Sequence, residues 1–122
     1  TNTITSTSLG NSGVGLNFPT GGASYGIDIA DLDGDGNIDI INSNFSLNTI
    51  SILRNRGVLN TITASSFSAP VNLSANSSPI YVRASDLDGD GRPDIIIPHS
   101  GSTSIAVYRN NLTATPTLTG FS

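Results

Sequence analysis

The chain lacks cysteine, tryptophan, methionine, lysine and glutamate altogether, although it is 122 residues long. The absence of cysteine excludes disulfide bonds and thiolate metal sites. The absence of lysine and glutamate removes two of the best helix formers for exposed positions, whereas Gly, Ser, Thr and Asn are plentiful. This composition favours short strands joined by turns, in a chain of the usual size for one domain.

Long apolar runs and basic clusters are also absent. No stretch is long and apolar enough to cross a membrane, so we expect no membrane insertion. The five arginines are dispersed along the chain, which argues against nucleic acid as a partner. The sequence has no leader-like segment and does not begin with Met, so we expect a processed or excised chain.

The acidic residues are unevenly distributed. All nine are aspartates, and eight of them lie in two nine-residue windows. Crowded carboxylates repel one another, and a bound cation offsets that repulsion. Two divalent cations would bring the formal net charge from -4 to 0. The charge pattern therefore predicts two cation sites.

The same segment occurs twice, with an offset of 55 residues. DLDGDGNIDII begins at Asp31 and DLDGDGRPDII at Asp86, and TISILRN from Thr49 matches SIAVYRN from Ser104. NTITSTSL near the front resembles NTITASSF at 60–67, and TPTLTGF near the end resembles it again. We therefore predict two repeats, 1–59 and 60–122, with the start of a third at the C-terminal end.

Each repeat is predicted to hold four short strands and no convincing helix. In the first repeat the strands lie near 25–30, 38–42, 49–54 and 67–73, with 9–18 as the front counterpart of the last. The unbroken apolar runs 40–41 and 95–97 predict inner strands covered on both faces. Tyr25 and Tyr81 lie near the start of matching strands, so we expect both rings in the core.

The repeated acidic segment has the pattern D-x-D-x-D-G-x-x-D. Calcium prefers several hard oxygen ligands, and alternate Asp side chains converge on one point when the backbone curls. Glycine at position six allows that turn, and the residue at position seven would offer its backbone carbonyl. The predicted ligands of two Ca²⁺ ions are Asp31, Asp33, Asp35, Asn37 and Asp39 in the first loop, and Asp86, Asp88, Asp90, Arg92 and Asp94 in the second.

Two other interpretations of these loops stay open. An EF-hand shares the first half of the pattern, but it needs flanking helices and a bidentate Glu at position twelve. Position twelve is Asn42 or Ile97, within a β-branched run. The second alternative is a solvated acidic turn without metal, against which two copies at the same spacing argue.

The loop followed by IDII and SILRN resembles the FG-GAP/VCBS repeat family over nearly the whole chain. That family includes calcium-binding blades of integrin α-subunit propellers and many secreted bacterial proteins. The resemblance implies an all-β fold of two tandem four-stranded β-propeller-type blades, each with calcium in the loop between its first and second strands. Propellers typically close with 4–8 blades, so other copies or more chain would have to cover two blades. NTITSTSL is a candidate outer strand for a blade, including one in a neighbouring molecule.

Modification and catalysis have weaker signals. Four asparagines begin N-x-Ser/Thr sequons and are candidate glycosylation sites: Asn44, Asn72, Asn76 and Asn111. His99 is the only histidine and has no nucleophile motif beside it, and Asp28 is the only carboxylate outside the loops. No catalytic set is apparent, so we expect a protein that is not an enzyme.

These observations predict a calcium-stabilised structural subunit of an extracellular assembly, a fibre, ring or matrix element built from copies of the chain by repeat-to-repeat contacts. Extracellular calcium modules bind at about 10⁻⁴–10⁻³ M, which suits a compartment where calcium is plentiful. The alternative is an adhesive or lectin-like propeller module that binds glycans or an extracellular protein. A concave aromatic pocket would favour that alternative.

Overall fold

The computed structural model of the chain describes residues 15–112. These residues form two antiparallel sheets and one three-residue 3-10 helix, which confirms the all-β prediction. No helix in this part of the chain is long and apolar enough to cross a membrane. The front segment NTITSTSL and the predicted start of a third repeat lie outside the described residues.

The first sheet has four strands in sequential order: β1 (Ser24–Ala30), β2 (Asp39–Asn44), β3 (Thr49–Leu53) and β4 (Val71–Ser74). The 3-10 helix Phe45–Leu47 lies in the turn between β2 and β3. The first three strands agree with the predicted ones to within two residues. The fourth begins later than predicted, because Phe67 forms only an isolated bridge with Asn55.

The second sheet has three strands within the described residues: β5 (Arg83–Ser85), β6 (Asp94–Pro98) and β7 (Ile105–Tyr108). A sheet of four strands is therefore confirmed for the first sheet only, and its fourth strand lies within the predicted second repeat, 60–122. The predicted front counterpart of the fourth strand, 9–18, forms no strand over residues 15–18, and the rest of it lies outside the described residues.

The core lies between the two sheets, because successive side chains of a strand point to opposite faces and one face of each sheet meets the other sheet. β1 lies beside β5, where the Ala84 N–H donates to Asp28 Oδ2 at 2.8 Å. The buried cluster contains Leu32, Ile41, Ile50, Ile52, Ala75, Val82, Ile95, Ile97 and Leu112. Each sheet therefore has one face against the core, its covered face, and one face turned away from the core, which we call its open face. On β2 and β3 the open face of the first sheet holds the buried side chains of Asn42, Asn44, Ser51 and Leu53.

One expectation about burial was wrong, and a second holds for only one of the two sheets. Tyr25 and Tyr81 are more than half exposed, because their rings lie outside the core. On the covered face of the first sheet, Gly26 packs closely against the backbone of Tyr81: a Cβ added to Gly26 would lie 2.7 Å from the Tyr81 Cα. The runs 40–41 and 95–97 do lie in middle strands. β2 is covered on both faces over most of its length, since all of its residues except the half-buried Ile40 are buried. In β6, Ile96 is only half-buried because it points to the open face.

The repeat provides a matched pair for testing the core. Ile50 and Ile105 occupy the same repeat position, yet their exposed fractions are 0% and 63%. We expect Ile50→Ala to lower the free energy of unfolding by about 2–5 kcal/mol, because it leaves a cavity. Ile105→Ala should cost less than about 1 kcal/mol in the dilute chain. Urea unfolding of both variants checks this, and equal losses would contradict the assignment of covered and open faces.

Candidate metal centres

Each acidic loop connects the first two strands of its sheet, as predicted. Residues 31–38 join β1 to β2, and residues 86–93 join β5 to β6. Three carboxylates of each loop offer oxygen atoms that all lie within 4.8 Å of one another. They are Asp31, Asp33 and Asp39 in the first loop, and Asp86, Asp88 and Asp94 in the second.

The first aspartate organises the curl of its loop. The Asp31 carboxylate accepts the backbone N–H groups of the three residues at 34–36, at 2.8, 3.1 and 2.9 Å. Asp86 accepts the matching three N–H groups at 2.8, 3.2 and 2.8 Å. Gly36 has a φ of 85° and Gly91 one of 86°, a backbone conformation that other residues rarely adopt. The loop therefore wraps around its first carboxylate.

The ninth-position aspartate ties the loop to the end of the third strand. Asp39 is fully buried, and its two oxygens accept the N–H groups of Leu32 at 3.0 Å and Asn55 at 2.8 Å. Asp94 accepts those of Leu87 at 3.0 Å and Asn110 at 2.8 Å. A carboxylate oxygen has two lone pairs, so each one retains capacity for a cation.

The electrostatics at Asp39 in the first loop favour an additional positive charge. Burial raises the pKa of Asp39, the N–H groups of Asn55 and Leu32 lower it, and the charges of Asp33 and Asp35 raise it further. A cation beside Asp39 would oppose both raising effects. In the second loop, the hydrogen bond from Arg109 lowers the pKa of Asp88.

Arginines at matching positions pair with the loop carboxylates at positions three and five. Arg54 Nε donates to Asp33, and its Nη2 lies 2.6 Å from Asp35 Oδ2. In the second repeat, Arg109 reaches Asp88 at 2.5 Å and Asp90 at 3.1 Å. Asp35 and Asp90 lie outside the two three-carboxylate groups, and each shares its guanidinium with a member of the group, Asp33 or Asp88.

The position-seven residues also lie in the loops. The backbone N–H of Asn37 donates to Asp35 Oδ1 at 2.8 Å, and that of Arg92 donates to Asp90 Oδ1 at 3.0 Å. The Arg92 side chain pairs with Asp90 as well. Their backbone carbonyls are the predicted ligand atoms, whereas these contacts are made by the backbone N–H groups and by the Arg92 side chain.

Sequence reasoning did not find the roles of the Arg-Asn pairs at 54–55 and 109–110. In the sequence both pairs stand out only as part of the repeat match TISILRN and SIAVYRN. The signal that could have found them is this repetition of a charged and an amide residue directly after the third strand. Their loop partners explain why both copies have them.

The other candidate residues are dispersed. Asn44 is fully buried, and its amide donates to Thr49 Oγ1 at 3.0 Å and Ser51 Oγ at 2.7 Å. The three exposed sequon asparagines are Asn72, Asn76 and Asn111. His99 is buried, and neither ring nitrogen has a hydrogen-bond partner among residues 15–112. Of the four sequon asparagines, only the three exposed ones are accessible for glycosylation in the folded chain.

The donor set decides which metals the loops could hold. The side-chain ligand atoms that the two groups offer are all carboxylate oxygens, with no nitrogen or sulfur among them. Hard cations such as Ca²⁺ and Mg²⁺ prefer oxygen ligands, whereas softer transition metals favour imidazole or thiolate. The residues therefore fit a hard divalent cation.

A family model described as FG-GAP-like repeat matches residues 31–97, which is more than half of the chain. The chain therefore belongs to the FG-GAP-like repeat family, as the resemblance predicted. Repeats of this family are typical of β-propeller-like, extracellular or cell-surface modules. Comparison with curated proteins and with solved structures found no match.

Proposed function

We propose that the chain is a calcium-stabilised structural subunit of an extracellular assembly, built by head-to-tail contacts between repeats of neighbouring copies. One observation carries the proposal. The two open faces are the repeat counterparts of the two faces that are buried against each other inside the chain.

The open face of the second sheet matches the covered face of the first. Adding the 55-residue offset to Ile41, Ile50 and Ile52 gives Ile96, Ile105 and Val107. The first three side chains are fully buried in the core. Ile105 and Val107 are at least half exposed. The second sheet thus presents the apolar set with which the first sheet binds its neighbour.

The open face of the first sheet matches the covered face of the second. Subtracting 55 from Val82, Ala84 and Ile95 gives Ile27, Ile29 and Ile40. Val82 and Ile95 are buried, whereas Ile27 and Ile29 are mostly exposed. The two open faces therefore differ from each other. We expect the open face of the first sheet in one copy to pack on the open face of the second sheet in another copy. Such heterologous contacts generate rings when the rotation closes and filaments when it does not.

The loops support the same arrangement. Leu32 is 1% exposed and Leu87, its counterpart, is 52% exposed. Asn110 Nδ2 donates to the Leu32 carbonyl at 2.8 Å, across the two sheets. A copy seated on the second sheet would bury Leu87, and its Asn55 would be placed to donate to the Leu87 carbonyl.

One position distinguishes a copy-to-copy interface from the one inside the chain. Gly26 corresponds to Tyr81, and the close approach at Gly26 leaves no space for a Cβ. A copy that packs on the second sheet meets the Cβ and ring of Tyr81 at this point. The contact must therefore be wider there, so the rotation between copies differs from the rotation between the two sheets.

Calcium would act on the loops at the edge of this interface. The residues that would hold it are the three-carboxylate groups, with Asp35, Asp90 and the position-seven carbonyls completing the shell. The bound ion would supply the charge that offsets the crowded carboxylates and would fix the curl of each hairpin loop. Leu32 and Leu87 lie inside these loops, so a fixed loop presents a fixed contact surface.

Electron microscopy and sedimentation of the purified chain test the proposal. We expect rings or filaments at millimolar calcium and a smaller assembled fraction in excess chelator. Raising the protein concentration should increase assembly, because the open faces bury apolar surface only when they meet. Monomers that stay dispersed at every concentration, with and without calcium, would refute the proposal.

A second candidate function is supported by a groove on the open face of the first sheet. The groove has a volume of about 330 Å³ and is lined by aromatic, aliphatic and amide side chains, including Phe18, Tyr25 and Asn42. Tyr25 also stacks on Phe45 with ring centroids 4.7 Å apart. A glycan or peptide in this groove would make the chain an adhesive or lectin-like module. A glycan or peptide that changes the chemical shifts of Tyr25 and reduces assembly over the same concentration range would favour this candidate.

A further inference from the structure

We propose that the groove on the open face of the first sheet receives β7 of a second copy, and that residues 16–19 become the fourth strand of that copy's second sheet. The inference rests on the proposed assembly and names the segments that join one copy to the next. Its basis is the way in which the first sheet obtains its own fourth strand.

That fourth strand comes from the segment that leads into the second repeat. β4 pairs with β3 in an antiparallel register that places Leu73 opposite Ile50 and Val71 opposite Ile52. Subtracting 55 from 71–74 gives 16–19, and Val-Asn-Leu-Ser becomes Leu-Asn-Phe-Pro. Both segments have the order apolar, Asn, apolar. Residues 16–19 belong to no strand in the structure and pair with no strand of residues 15–112.

The segment already lies where a fourth strand would be needed. The groove beside it is lined by Leu16, Phe18, Ile27, Ile40, Asn42 and Leu53, among others. Their repeat counterparts are Val71, Leu73, Val82, Ile95, Ile97 and Tyr108. Every one of these counterparts belongs to the buried cluster or packs against it. The groove therefore has the lining of the core between the sheets, without the side chains that fill that core.

Two contacts hold the segment in this position. The Ser51 hydroxyl donates to the Thr20 carbonyl. The Phe18 ring meets the Phe67 ring edge to face, with centroids 5.0 Å apart. The acceptor site is thus preformed, and docking a second copy requires little rearrangement of this segment.

The side chains that would fill the groove are present on the second sheet. The core inside the chain is filled from the first sheet by Ile41, Ile50 and Ile52, whose counterparts are Ile96, Ile105 and Val107. β7 is an edge strand of its sheet within residues 15–112. An edge strand presents unpaired N–H and C=O groups that a further strand can bind.

The register of the new strand pair follows from that of β3 and β4. It places Phe18 opposite Ile105, Asn17 opposite Ala106 and Leu16 opposite Val107. Pro19 falls at the end of the pair, where the missing N–H of proline is tolerated. The lining contains no charged side chain, which suits aliphatic strand residues better than a charged ligand.

Cysteine cross-linking between two differently substituted proteins tests the pairing. The chain has no cysteine, so an introduced pair is the only one present. We expect a mixture of Asn17→Cys and Ala106→Cys proteins to form a disulfide-linked heterodimer of about 25 kDa, twice the mass of 12.5 kDa. Val107→Cys replaces Ala106→Cys as the register control, since its side chain points to the other face. An intrachain Ser51→Cys, Asn72→Cys pair, which has the matching register, is the positive control.

The outcomes separate this inference from the proposed function. If assemblies form and the intrachain control oxidises, but the 17/106 pair does not, the strand pairing is wrong and the proposed function stands. If the unsubstituted chain forms no assembly at all, both fail. Hydrogen exchange adds a second readout: we expect amides of 105–108 to gain protection on assembly. Full protection of those amides in the dilute monomer would mean that residues after Leu112 complete the sheet, which would overturn the inference.

Discussion

We expect Val107→Asp to abolish assembly while leaving the isolated chain folded. Val107 is half exposed in the single chain, so a carboxylate at this position stays hydrated. On assembly it would be buried among the aliphatic side chains of the groove. Burying an unpaired charge is far more costly than the apolar contact it replaces. Sedimentation measures the loss of assembly, and far-UV circular dichroism together with urea unfolding measures the fold.

The repeat supplies a matched control for this substitution. Ile52 occupies the same repeat position and is fully buried within the chain, so Ile52→Asp should unfold the protein outright. Leu59, 79% exposed in the loop between β3 and β4, serves as the neutral control, since Leu59→Asp should leave both fold and assembly intact. Normal assembly of Val107→Asp would show that the open face of the second sheet is not used.

Mixing variants of the two open faces distinguishes a head-to-tail contact from a symmetric one. Ile27→Asp disables the open face of the first sheet, and Val107→Asp disables that of the second. Each variant alone should remain monomeric. Together they retain one intact face of each type, so we expect a single heterodimer that grows no further. An isologous contact, in which each face meets its own copy, would give homodimers of each variant and no new species in the mixture.

Strands and loops could be predicted because their signals are local. β-branched runs bounded by Gly, Asn and Asp place the first three strands of the first sheet within two residues of their observed bounds. The DxDxDG spacing likewise places both acidic loops between the first and second strands. The fourth strand was predicted less well, because its pairing depends on β3 rather than on its own residues.

The covered and open faces could not be predicted from the sequence. Alternation shows which side chains share a face, but it does not show which face another sheet will cover. Ile50 and Ile105 have similar local sequences and opposite burial, because only the first has a sheet packed against it. The sequence predicts a core position for Tyr25 and Tyr81 because it does not contain this information, and both rings are exposed.

The hydrogen bonds that tie each acidic loop to the end of the third strand could not be predicted either. Asn55 donates its N–H to Asp39, sixteen positions earlier, and Asn110 does the same for Asp94. Both contacts arise only when the third strand returns alongside the second. A repeated Arg-Asn pair in the sequence marks the positions, but their partners are set by the pairing of β2 with β3 and of β6 with β7.

Calcium should raise the stability of the chain by several kcal/mol. If each loop binds at about 10⁻⁴ M, then 10 mM free calcium is roughly 100 times the dissociation constant. Linkage then adds about 2.7 kcal/mol to the free energy of unfolding for each occupied loop, or roughly 5 kcal/mol for two. Urea unfolding of a dilute, unassembled sample in calcium and in excess chelator measures the difference.

Loop-specific substitutions assign this stabilisation to the proposed ligands. Asp31→Asn and Asp86→Asn keep one oxygen, which can accept two of the three loop N–H groups, but they remove the charge and place an amide NH2 against the third N–H. Each should abolish about half of the calcium effect, roughly 2.7 kcal/mol, and the double variant nearly all of it. In chelator each variant loses one hydrogen bond, which costs about 1 kcal/mol, and the relief of repulsion among the crowded charges offsets part of this loss. The calcium effect is therefore measured for each variant as the difference between its stabilities in calcium and in chelator. An undiminished calcium response in the double variant would place the ion elsewhere, whereas no response in the parent chain would leave the loops as acidic turns held by backbone N–H groups and arginine alone.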